Sequence, residues 1–143
     1  MTRIEPLFDR YAESHRHPAN KAIHWICVPL ITWSVLVALW ALAPAAAIAL
    51  VFAAMIFYAW MSWPLALGML LVTAFMLAPL PFVSSRAVLA GLAAAVFVAA
   101  WAGQFVGHHI EGRKPSFVDD LKFLLVGPAW LLAFVYRRLG IAY

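Results

Sequence analysis

The chain's five histidines fall into two groups: His15, His17 and His24 in "ESHRHPANKAIHW" near the N-terminus, and the adjacent His108 and His109 in "GHHIEGRKP". Neutral imidazole is the commonest protein metal ligand and binds zinc, iron, copper or nickel. A single histidine at a membrane boundary has plainer uses, as an interfacial or hydrogen-bonded side chain. With none scattered elsewhere, a metal site is the expected use if the fold unites the two groups. On a helix running through the second group, His108 and Glu111 share a face while His109 points elsewhere. A His-x-x-Glu pair is one way helices of carboxylate-bridged metal bundles present ligands, although Glu111 also suits the start of a solvated basic loop.

Several histidines with one carboxylate and open positions suit iron and oxygen activation, whereas zinc would suggest hydrolysis through an activated water. The residues alone leave both open. Arg113 and Lys114 adjoin the second group, where they could hold a substrate carboxylate or a lipid head group, or simply anchor a helix end. Other chemistries lack their signatures. Cys27, the only cysteine, lies in an apolar run, and there is no nucleophile elbow, P-loop, dinucleotide fingerprint or CxxC.

The elements that must position these histidines are membrane helices. Of 143 residues, 66% are hydrophobic and only 11% charged, too few polar side chains to coat a soluble globule. Arg86 is the only charge between Lys21 and Glu111. About 20 apolar residues cross a hydrocarbon core, which predicts four spans at about 24–42, 45–61, 65–80 and 87–107, punctuated by Pro44, Pro64, Pro79 and Pro81. A polar arm (1–23) precedes them, read as mature protein because it lacks the layout of a secretory signal. A basic loop and a further apolar segment follow (108–143). That segment, Leu121 to Tyr136, is interrupted by Gly127-Pro128 and reads as re-entrant or interfacial. The expected fold is a single-domain, all-α integral membrane protein of four transmembrane helices plus this segment. Pro18 suits a turn or helix start, and Asn20 is the expected cap of the helix that holds His24.

Four spans place the N-terminal basic residues with Arg113, Lys114, Lys122, Arg137 and Arg138 on one side and only Arg86 opposite. Both termini are thus expected in the cytoplasm, in the inner membrane if the host is bacterial. An even number of spans also returns the two histidine groups to one surface. Ala87, Gly91, Ala95, Ala99, Gly103 and Gly107 form a small-residue stripe that winds around the fourth span, expected to pack within the monomer. The net charge of +4 is explained by residues flanking the spans. No basic stripe with interleaved aromatics suggests nucleic acid, and spans without internal charges give no ion pathway for a transporter.

Tyr11, His15, Pro18, Asn20, His24 and Val28-Pro29, then "QFVGH" at 104–108 followed by Glu111 and Pro115, together resemble a family of small membrane proteins. It is typified by the yeast protein for metabolism of phytosphingosine to odd-numbered fatty acids. Bacterial members are especially similar through "GHHIEGRKPSFVDDLKFLLVGPAWLL". The resemblance spans almost the whole chain. It implies an iron(II)-dependent dioxygenase of α-oxidation, acting on a 2-hydroxy fatty acid and O2 within membrane lipid and releasing CO2 and the acid one carbon shorter. His15, His24 and His108 match the family's histidine pattern and are the implied catalytic metal ligands. His109 and Glu111 are candidates to complete or orient the shell; Tyr11, Asn20, Arg113 and Lys114 are candidate substrate contacts. The rival readings are a non-enzymatic haem- or lipid-binding module and a zinc-dependent membrane hydrolase.

Overall fold

The structure is a computed structural model that describes residues 4–112 and 124–143. Among the described residues it is all helical: α1 (Glu5–Glu13), α2 (Pro18–Leu42), α3 (Pro44–Met61), α4 (Trp63–Leu77), a 3-10 turn (Leu80–Phe82), α5 (Arg86–Glu111) and α6 (Val126–Leu139). Four helical stretches, Pro18–Leu42, Pro44–Met61, Trp63–Phe82 and Arg86–Glu111, are long and apolar enough to cross a membrane. The expected fold class therefore holds.

Proline and short polar caps set the joints. Ala43 between α2 and α3 is extended, with φ −158° and ψ 124°, as expected for a residue preceding proline. Ser62 separates α3 from α4, and its Oγ accepts from the backbone N–H of Leu65, with Pro64 in the helix's first turn. One correction concerns α2. Its cap is His17, whose Nδ1 accepts from the backbone N–H of Ala19 at 3.2 Å, and not Asn20. Pro18 opens the helix, where its missing N–H costs nothing, so Asn20 is already helical and its amide is available for tertiary bonds.

The C-terminal segment also differs in detail. Gly127 and Pro128 do not interrupt a helix; they lie in the first turn of α6, the part of a helix that tolerates proline. Residues 121–123 lie outside the described residues. At 14 residues, α6 spans about 21 Å at 1.5 Å per residue, short of a hydrocarbon core of about 30 Å.

The antiparallel α2–α5 pair is the main packing axis. Cys27 and Ile31 of α2 pack with Ala100 and Trp101 of α5, and Val37 and Ala41 pack with Leu89 and Ala93 further along. A Cβ at Gly103 would lie 2.6 Å from Cys27 Sγ, and one at Gly107 would overlap the Asn20 side chain. The expectation for the small-residue stripe therefore holds for Gly103 and Gly107 alone. Ala87, Gly91, Ala95 and Ala99 are exposed, because a four-residue step drifts by about 40° per step and carries the stripe off the α2 side. A second core joins Phe8 and Tyr11 of α1 to Tyr58, Leu65 and Met69 of α3 and α4 and to Ala129 and Trp130 of α6. Phe52, Trp60, Leu71 and Phe75 point outward, an apolar exterior suited to lipid.

Candidate metal centre

The mouth of the α2–α5 pair holds the site. α2 starts there and α5 ends there, so His24 in the second turn of α2 meets His108 in the last turn of α5. The short α1–α2 linker folds His15 over them. One ring nitrogen from each of His15, His24 and His108 lies within 4.8 Å of the others, and all three residues are buried.

Hydrogen bonding fixes how two of these rings present themselves. His15 Nδ1 bonds the carbonyl oxygen of Tyr11, and His24 Nδ1 bonds that of Asn20 at 2.9 Å. A carbonyl only accepts, so in the neutral ring each Nδ1 carries the proton and each Nε2 presents a lone pair. Those two Nε2 atoms face one another at 2.7 Å. Two lone pairs at that distance repel, and a proton or a cation between them removes the conflict. The outer hydrogen bonds match those by which metal-bound histidines are held in tautomer and orientation, so the donor set fits a metal. The ring plane of His24 is nearly perpendicular to that of His108, at 88°. Burial lowers the pKa of His15 from its ordinary 6.5, against the raising effect of the Tyr11 carbonyl, which keeps the ring in its ligating, neutral form. Nitrogens in hydrogen-bond contact leave no space for a porphyrin between His15 and His24, so this pair does not suit axial ligation of a haem.

The other predicted residues occupy distinct places. Glu111 stands outside the trio: its carboxylate accepts from the backbone N–H of Arg16 at 2.9 Å, from that of His17 at 2.9 and 3.2 Å, and from Asn20 Nδ2 at 3.0 Å. Asn20 Nδ2 also donates to the Ser14 carbonyl at 3.1 Å. Glu111 and Asn20 thus clamp the linker that carries His15, with the carboxylate at the electropositive start of α2. Gly112, at φ 72°, ends α5 immediately after Glu111 in the left-handed conformation that glycine adopts without strain. His109 is exposed and outside the trio. Tyr11 stacks on His15 with ring centroids 4.1 Å apart and planes 18° apart. Arg113 and Lys114 lie outside the described residues.

Two further contributors lie within the resembling motifs, where sequence reasoning assigns them no role. Trp130 of α6 packs against Tyr11 at 5.4 Å and His15 at 6.1 Å, so the C-terminal helix walls the site. Gln104, the chain's only glutamine, lies one helical turn before His108 on the same face. That i, i+4 relation and its place at the head of the QFVGH motif are its signals in the sequence. Gln104 lines a cavity of about 40 Å³ beside His24, together with Tyr11, Val28, Ile31, Trp101, Leu124, Gly127 and Pro128.

No curated protein and no solved structure matches the chain. A family model described as 2-hydroxy-palmitic acid dioxygenase Mpo1-like does match, over residues 1–139. That span takes in all three trio histidines and the linker clamp around them, and the chain belongs to the Mpo1-like family.

Proposed function

We propose that the chain is an iron(II)-dependent, membrane-embedded dioxygenase that converts a 2-hydroxy fatty acid and O2 to the fatty acid one carbon shorter, CO2 and water. The reaction balances without an external reductant: RCH(OH)COOH and O2 give RCOOH, CO2 and H2O, the substrate supplying all four electrons that oxygen takes up. The observation that carries the reading is the buried trio, with the lone pairs of His15 and His24 turned toward one another. Family membership supplies the substrate class and the reaction type.

In this reading His15, His24 and His108 hold the metal. Iron(II) bound there would supply positions open to substrate and oxygen and the redox chemistry of oxygen activation. The protein's own share is positioning and exclusion. The Tyr11 and Asn20 carbonyls fix two imidazoles, Glu111 fixes the linker, and Tyr11 with Trp130 shields the trio from water, which suits reactive oxygen chemistry.

Space for an apolar tail begins beside the trio. Pro128 borders the cavity next to His24 and two further cavities of about 60 and 180 Å³. The larger is lined by side chains such as Met69, Val72, Met76 and Leu132. We place the substrate's alkyl chain along this route, with both termini cytoplasmic and, if the host is bacterial, the protein in the inner membrane.

Purified protein loaded anaerobically with iron(II) and given 2-hydroxyhexadecanoate should consume one O2 and release one CO2 per pentadecanoate formed. Oxygen-independent hydrolysis of an ester- or amide-linked lipid by zinc-loaded protein would favour a hydrolase instead, and a protein that holds no metal would overturn the reading.

A further inference from the structure

The cavity beside His24 contains a polar group that the protein leaves unsatisfied. Gln104 is 5% exposed, and its Oε1 is buried with no hydrogen-bond partner. A buried acceptor without a partner is disfavoured, and polar side chains within spans mark functional positions. Val28, Ile31, Leu124 and Pro128 give the cavity an apolar lining, and none of the polar side chains beside them, Tyr11, His24 and Trp101, bonds Oε1. An apolar side chain of similar length would fill the same volume without the penalty.

From this we infer that Gln104 is a substrate-binding residue whose Oε1 accepts a hydrogen bond from the 2-hydroxyl of a 2-hydroxy fatty acid in the cavity beside His24. The inference rests on the oxidation reading for its ligand class and adds a specificity determinant outside the metal-binding trio. Three features favour a hydroxyl. The unsatisfied atom is an acceptor, so it requires a donor. The amide is neutral, so it offers a carboxylate no charge. Its position one turn from His108 and on the same cavity as His24 puts it where the polar end of a bound acid must sit if the alkyl chain passes Pro128. A site that hydrogen-bonds a ligand hydroxyl discriminates strongly against the analogue lacking it, because the buried partner is then left unpaired.

The test is equilibrium binding of 2-hydroxyhexadecanoate and hexadecanoate to metal-free, detergent-solubilised full-length protein, comparing wild type with Gln104→Leu and Gln104→Met. Wild type should prefer the hydroxy acid by about 10-fold or more. Both variants should bind the two acids equally, with hexadecanoate affinity retained and thermal unfolding unchanged or raised. Two variants are used so that misfolding of one does not decide the outcome. A folded variant that keeps the wild-type preference overturns the assignment, as does a wild type that shows none. Oxygen-dependent turnover by the iron-loaded wild type is read separately: its absence would overturn the oxidation reading and leave the binding result to judge Gln104.

Discussion

His15 Nε2 and His24 Nε2 face each other at 2.7 Å while both Nδ1 atoms are engaged by main-chain carbonyls. Neither ring can turn its proton toward the other without giving up a buried bond to Tyr11 or Asn20. The pair is therefore preorganised to share a proton or a cation. His15→Ala, His24→Ala and His108→Ala should each weaken metal binding by more than the roughly 10–100-fold typical of losing an outer partner. His109→Ala should leave it unchanged, because His109 is exposed and outside the trio. Metal content after dialysis and competitive titration measure both, and retention of full metal affinity by the trio variants would count against the centre.

The protonation of His15 sets a pH dependence for the metal-free protein. Its pKa is lowered by burial from 6.5, so as pH falls through about 6.5 the unfolded chain takes up the proton before the native state does. The unfolded state then binds more protons and stability declines. The contribution is fully present above about 6.5 and is lost as pH falls toward the depressed native value. Thermal unfolding of metal-free protein should show a midpoint that falls with acidification over that range, with a shallower fall in His15→Gln. Equal slopes for the two proteins would contradict it.

Glu111 tests positioning through backbone contacts. Its carboxylate binds the amides of Arg16 and His17 and the side chain of Asn20, and so secures the linker that carries His15. Glu111→Ala should lower metal affinity by about 10–100-fold, the usual effect of removing an outer support, while the far-ultraviolet circular dichroism stays unchanged. Unaltered affinity would show that the linker holds itself.

The meeting of the two histidine groups is legible in the sequence for a physical reason, whereas the choice of His15, His24 and His108 among the five comes from the family resemblance. Hydropathy counts the spans, an even count returns the chain to one surface, and histidines confined to the two ends of that path can then meet there. The role of Glu111 is not legible in the same way. Helical spacing puts it on the face of His108, but spacing cannot say whether a carboxylate goes to a metal or to free backbone amides, and here the amides at the start of α2 take it. The role of Trp130 is hidden for a related reason. It depends on how α6 docks on α1 and α2, which is set by three-dimensional packing around Tyr11 and leaves no periodic signal in 14 residues, whereas Gln104 of α5 has its helical spacing from His108 but nothing in the sequence that reveals its unpartnered oxygen.

Gly107 faces α2 beside the centre with no room for a side chain. An added Cβ would overlap Asn20 Oδ1 and lie 3.4 Å from Ile23. Asn20 cannot yield freely, since its Nδ2 is bound to Ser14 and Glu111 and its carbonyl holds His24. Gly107→Ala should therefore cost about 1–3 kcal/mol as an overpacked contact and weaken metal binding with it. Gly91→Ala, with nothing within 4 Å of the new Cβ, should do neither. Thermal unfolding with and without metal separates the two variants, and equal behaviour would remove the tight approach as a determinant of the site.

The route past Pro128 yields a prediction about chain length. The cavity of about 180 Å³ lined by Met69, Val72, Met76 and Leu132 lies beyond Pro128 from the cavity at His24, so it would receive the distal part of an alkyl chain, not the reacting end. Filling it should shorten the preferred substrate without touching the chemistry. Val72→Trp is the sharper test, because Val72 is only half-buried and an indole there adds bulk at the cavity wall. Each methylene excluded forfeits about 0.8 kcal/mol of burial, so two lost methylenes lower kcat/KM for 2-hydroxyhexadecanoate by about an order of magnitude, with little change for 2-hydroxydodecanoate. A uniform loss across chain lengths would mean that the tail takes another path.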